Sequence, residues 1–144
     1  FLKAEGKEIG KSLVEDDQLD TVKKLMARAK ERGVKLLLPT DIVVGPEFAI
    51  TATATTVSAD AIPKDQLGLD IGPTTATAYA EEISKCATVF WNGPMGVFEV
   101  KEFANGTKEI AQNLSQSTGY TVVGGGDSAA AIRLLGIDES KFDK

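Results

Sequence analysis

The sequence predicts an α/β fold, a Rossmann-like three-layer α/β/α arrangement around a mainly parallel sheet. Three observations predict it. Short β-like runs alternate with helix-length amphipathic runs along the chain. Glycines stand directly after the later β-like runs, where ligand loops of such folds lie. The length, 144 residues, suits one domain able to bury its own core without disulfides.

The elements follow in order. Asp16 or Asp17 is placed to cap a helix reaching about Arg32, with Leu19, Val22, Met26 and Ala29 on one face and Gly33 ending it. "VKLLLPTDIVVG" reads as a buried strand, with Pro39 as an irregularity or an end. Residues 46–67, rich in Ala, Thr and Ser, read as a long connection with room for one edge strand. "LGLDIG" is a strand, and Pro73 opens a helix with Ala76, Ala80 and Ile83 on one face. "ATVFWNG" is the next strand, with Phe90 and Trp91 assigned to the core. A helix carrying Phe103, Thr107, Ile110 and Leu114 follows, then the strand "YTVVG" and a last helix from Asp127 to Leu135, stopped by Gly136.

Composition narrows the function. Net charge is −5 and no basic run of five residues occurs, which argues against a nucleic-acid groove. Cys86 is the only cysteine, so no internal disulfide forms and a reducing, cytoplasmic location is expected. The absence of histidine removes Ser–His and Cys–His nucleophiles and His-ligated zinc from this chain. No apolar run reaches membrane-spanning length, and no signal-peptide pattern is visible. "FLKAEG" at the start and "DESKFDK" at the end carry no starting or stopping logic, so the sequence reads as an excerpt of a longer chain.

Three glycine-bearing turns follow strands: Gly72-Pro73, Asn92-Gly93-Pro94-Met95-Gly96 and Gly124-Gly125-Gly126. In a parallel sheet all three fall at one rim. Gly72-Pro73 alone is an ordinary turn and helix start, Asn92-Gly93-Pro94 is ordinary turn chemistry, and Asp127 is a good N-cap. Three consecutive glycines are costlier in conformational entropy and suggest a backbone approached closely by an anion at a helix N-terminus. Asp127 then poses a problem. A carboxylate and a phosphate at about 4 Å repel by roughly 4 kcal/mol per pair of charges at surface dielectric. A Mg²⁺ ion held by Asp127 removes the conflict, because it binds phosphate oxygens as well. "GGGDSA" also fits a dinucleotide pattern, but no strand with an acid follows it, and no GxxxxGK[ST] P-loop exists.

"FLKAEGKEIGKSLVEDD", "LLLPTDIVV", "GLDIGP", "VFWNGPMGVFE", "FANGTK" and "VVGGGDSAAA", in this order, resemble the carboxyl-terminal half of the phosphoglycerate kinase family. The resemblance covers residues 1–144, and "WNGPMGVFE" and "GGGDS" are its specific motifs. It implies transfer of a phosphoryl group between 1,3-bisphosphoglycerate and ADP, giving 3-phosphoglycerate and ATP. The chain would be part of the nucleotide-binding domain. The glycerate-binding domain would lie outside it, in a parent protein expected to be a monomer. The resemblance further implies that Gly68 and Leu69 lie against the adenine and that Val97 packs on it. Asn92, Gly93 and Pro94 would line the cleft, and Glu99 would bind the ribose hydroxyls. Asp127 would be the magnesium-side acid, with Gly125, Gly126 and Ser128 donating to phosphates. On the plain alternative, Leu69 and Val97 are core residues and Glu99 a solvated acid. Lys3 reads as structural or solvated.

The family's upstream phosphate-binding lysine segment and a later glycine-rich run are absent from this sequence. Half of the nucleotide grip is therefore present, and the isolated chain is expected to be inactive. A non-catalytic adenine-nucleotide-binding module of the same fold is the competing reading. A third makes every glycine a turn.

Overall fold

The computed structural model describes residues 1–49 and 53–144. Helix α1 spans Leu19–Glu31, strand β1 Asp41–Gly45, β2 Thr55–Ser58 and β3 Leu67–Ile71. Helix α2 spans Pro73–Ile83, β4 Thr88–Asn92, α3 Asn105–Ser115, β5 Tyr120–Gly124 and α4 Gly126–Leu134. The class is α/β, as the alternation predicts.

Among the described residues the strands divide into two sheets. β4 and β5 are parallel and in register, Asn92 opposite Gly124. β1 is central to an antiparallel sheet, flanked by β2 and β3, with a register shift between Val43 and Val44. The expectation that β3 shares one parallel rim with β4 and β5 therefore does not hold. β2 is the edge strand anticipated within residues 46–67, and residues 50–52 of that connection lie outside the described ones.

Helix periodicity translates directly into packing. Leu19, Val22, Met26 and Ala29 form the half-buried face of α1. The helix ends as Val34 N–H reaches Ala29 O at 2.9 Å and Gly33 takes φ +66°. Asp16 and Asp17 form a 3₁₀ turn instead of capping, and Gln18 is the N-cap with no side-chain bond. The main core joins Ile71 and Trp91 to Ala76, Ile110, Ala111, Leu114, Ala131 and Ile132 on α2, α3 and α4. Phe90 departs from expectation. It points to the other face of β4 and is 65% exposed, since successive strand residues alternate faces.

The run 34–39 is also a correction: it is not a strand, and Val34, Leu36 and Leu37 are exposed. A strand exists only with a hydrogen-bonded neighbour, and among the described residues this run has none. It is tethered to α2 instead, by Lys35–Glu82 at 2.9 Å and by Tyr79 Oη donating to Leu37 O at 3.1 Å.

Candidate functional site

Each helix start on this scaffold must dispose of amides that lack an intrahelical partner. At α2 the solution is internal. Asp41 on β1 accepts from Thr74 N (3.0 Å), from Thr75 N (2.8 Å) and from the Thr75 hydroxyl. A Cβ on Gly72 would stand 2.1 Å from Asp41 Cγ, so this glycine makes room for the carboxylate. Burial works against the ionised form of Asp41, yet the Thr75 and Thr74 bonds outweigh it and hold its carboxyl below the ordinary range. Gly72-Pro73 is thus a self-filled turn, not a ligand cradle.

At α3 the solution is similar. Asp70 on β3 accepts from Gly106 N at 2.7 Å and from Ile71 N at 2.8 Å. Helix α4 differs. Gly125 is its N-cap, in a φ +86° conformation, and no side chain caps it. The first amide bonded back into the helix is Ala129 N, to Gly125 O. Among the described residues no side chain accepts from the free amides of this N-terminus. Asp127, expected as a candidate cap, lies inside the first turn, exposed and without a capping bond.

The turn after β4 stands beside this helix start. Gly93 N donates to Ser128 Oγ at 2.7 Å, and Trp91 Nε1 donates to Gly93 O at 2.7 Å. Gly93 takes φ +110°, a conformation that favours glycine. Asn92 Oδ1 lies 3.1 Å from where a Cβ on Gly124 or Gly125 would sit, while a Cβ on Gly126 would meet nothing within 4 Å. Asn92, Gly93, Gly125, Gly126, Asp127 and Ser128 therefore share one rim. Within that set, Ser128 is fully buried, and its hydroxyl oxygen accepts from Gly93 N.

From Gly93 the chain runs into a cavity of about 460 Å³, within the range of small-molecule sites. Gly68, Leu69, Pro94 and Val97 line it, together with Met95 and Gly96. Leu69 is only 3% exposed and Val97 packs on the Leu67, Leu69, Val100 and Phe103 cluster, so both are core residues as well as wall residues. Glu99 is not brought to this cavity. It lies on a separate hollow with Lys101, Lys108 and Leu135.

The far wall was not legible in the sequence. It comes from residues 1–14, including Phe1, Ile9 and Ser12, and from Asp70. Ser12 Oγ accepts from Gly68 N at 2.9 Å. No motif marks Ser12, and a contact 56 positions distant leaves no local signal. Lys3 also lines the cavity, with its ammonium paired to Asp16.

Among the described residues no group of three His, Cys, Asp or Glu side chains forms a metal cluster. A single exposed carboxylate still suits Mg²⁺, which keeps waters and is commonly held by one or two carboxylates plus substrate phosphates. Asp127 is an oxygen donor of that kind, beside an uncapped helix start. Among the described residues, no helix is long and apolar enough to cross a membrane.

A family model described as "Phosphoglycerate kinase" matches residues 1–143. The chain is 57% identical over 147 residues to the phosphoglycerate kinase of Streptomyces avermitilis, covering 99% of this chain and 36% of that protein. It is 53% identical over 142 residues to that of Kineococcus radiotolerans, covering 99% and 34%. The solved phosphoglycerate kinase of Coxiella burnetii superposes with a TM-score of 0.95 at 40% identity, over 98% of this chain and 36% of that one. That of Pyrococcus horikoshii OT3 does so at 0.75 and 31% identity, over 94% and 34%. The chain spans about a third of the length of these relatives. With matching motifs, a matching backbone and a family model that covers nearly every residue, the chain belongs to the phosphoglycerate kinase family.

Proposed function

We propose that the chain is part of the nucleotide-binding domain of a phosphoglycerate kinase and binds a magnesium adenine nucleotide. The parent protein transfers a phosphoryl group between 1,3-bisphosphoglycerate and ADP. The P–O bond to the acyl oxygen breaks as a bond to the terminal oxygen of ADP forms, leaving 3-phosphoglycerate and ATP. The observation that carries this reading is the contrast between helix starts: α2 and α3 are closed by Asp41 and Asp70, and α4 is not.

Each part has a role in that reading. The amides of Gly126 and Asp127 and the α4 dipole attract phosphate oxygens. Asn92 and Gly93 flank the phosphates. Gly68, Leu69, Pro94 and Val97 receive the base in the cavity that the Gly93–Val97 loop enters. Asp127 would hold Mg²⁺, which masks phosphate charge and stabilises the charge of the transferred group. Ser128 acts by fixing Gly93. The glycerate, and the cations that complete neutralisation, belong to segments outside this chain. An in-line transfer depends on positioning both substrates, so the isolated chain is inactive.

The test is MgADP titration of the full-length protein that carries this segment, with and without a chelator. Wild type is expected to lose at least tenfold in affinity on chelation. Asp127→Ala is expected to bind at least tenfold more weakly with Mg²⁺ and to ignore the chelator. Binding indifferent to both metal and Asp127 would overturn the metal assignment, and no binding by wild type would overturn the whole reading.

A further inference from the structure

The loop that lines the cavity is held from behind by one hydroxyl. Met95 N and Gly96 N both donate to Thr107 Oγ1, at 3.0 and 3.3 Å. Thr107 is fully buried in the first turn of α3. The same turn is anchored to β3, since the neighbouring Gly106 N donates to Asp70. On the other side Val97 N donates to Leu69 O at 2.9 Å. The loop cannot settle closer: a Cβ on Gly96 would lie 2.5 Å from Asp70 Oδ1 and 2.6 Å from Leu69 O. β3, the start of α3 and the loop are therefore one hydrogen-bonded unit with little slack.

We propose that Thr107 is a positioning residue, whose hydroxyl sets where Pro94–Val97 stands along the cavity and thereby how well a nucleotide base fits. The proposal rests on the nucleotide reading above. Thr107 does not itself line the cavity and acts through Met95 and Gly96, which do. Removing the oxygen leaves two amides without an acceptor, and each is then driven to seek another partner. The loop shifts, and the base loses contact with Pro94 and Val97.

The test uses the full-length protein and two substitutions of opposite kind. Thr107→Val keeps the shape and removes the acceptor, whereas Thr107→Ser keeps the acceptor and removes a methyl. MgADP affinity is expected to fall about tenfold in Thr107→Val and to stay within twofold of wild type in Thr107→Ser. In turnover, KM for the nucleotide should rise in Thr107→Val with kcat little changed. Wild-type affinity in Thr107→Val, or equal losses in both variants, overturns the proposal. If Thr107→Val does not fold, Gly96→Ala moves the loop from the opposite side and should show the same tenfold loss. Unchanged binding there overturns the proposal too. Failure of wild type to bind MgADP counts against the nucleotide reading instead, so the two failures are distinguishable.

Discussion

Asp70 is 4% exposed, and no lysine or arginine pairs with it among the described residues. Burial pushes its carboxyl up to about 6, against the lowering pull of the Gly106 and Ile71 amides. The native chain thus holds this proton more tightly than the unfolded chain does. The group's stabilising contribution is complete below about pH 4 and is lost as pH rises through about 6. At neutral pH the ionised form is kept at a stability cost on the order of 2–3 kcal/mol. The stability of wild type relative to Asp70→Asn should therefore increase as pH falls from 7 to 4 in urea unfolding. A difference that stays flat across that range refutes the assignment. A carboxylate retained under such conditions is explained by its placement: it ties α3 to β3 behind the cavity loop.

Among the elements, α2 shows a helix closed from outside its own sequence. Its cap comes from Asp41, which lies 33 and 34 positions before the amides it accepts. Asp41→Ala is expected to destabilise the fold by about 1–3 kcal/mol, the loss of a cap and of buried bonds. The folded carboxyl lies below its ordinary range, so this contribution is present above that range and disappears as pH falls through the lowered value. Unfolding measured at pH 7 and pH 3 should show the variant's deficit shrinking in acid. A deficit equal at both values would mean that charge plays no part. The same helix illustrates what the sequence discloses. Pro73 at its first turn and the faces of α1 and α3 follow from residues three or four apart, so local periodicity reveals them. The Asp41 cap, the Ser12 contact and the Asp70 anchor join residues more than 30 positions apart, and no local pattern encodes them. Residues 34–39 mislead for a related reason. Their composition is that of a strand, but pairing is a property of two segments. Of the site, the two turns around β4 and β5 were legible because glycine density is local. The placement of Glu99 was not, because which face a loop side chain takes is decided by packing, and that of Ser128 was not, because its bond to Gly93 joins residues 35 positions apart.

At the scale of the molecule, the parallel sheet has only two strands among the described residues, so β4 has an open edge. Exposed Phe90 stands on that strand, and exposed Leu37 of run 34–39 lines the same groove with Phe90 and Val89. Unpaired strand edges with apolar side chains recruit other strands, and a charge on the edge suppresses this. The isolated 144-residue chain is expected to self-associate with rising concentration in sedimentation, and Phe90→Lys to remain monomeric. Identical behaviour of both would show that another surface drives association. Trp91 offers a different kind of access. It is the only tryptophan in the sequence, and its indole N–H is committed to the carbonyl of Gly93, the residue whose amide is bound to α4. The molecule therefore carries a built-in optical gauge: whatever tightens or loosens the junction between the two glycine turns must change the emission of a single fluorophore, without any label being attached.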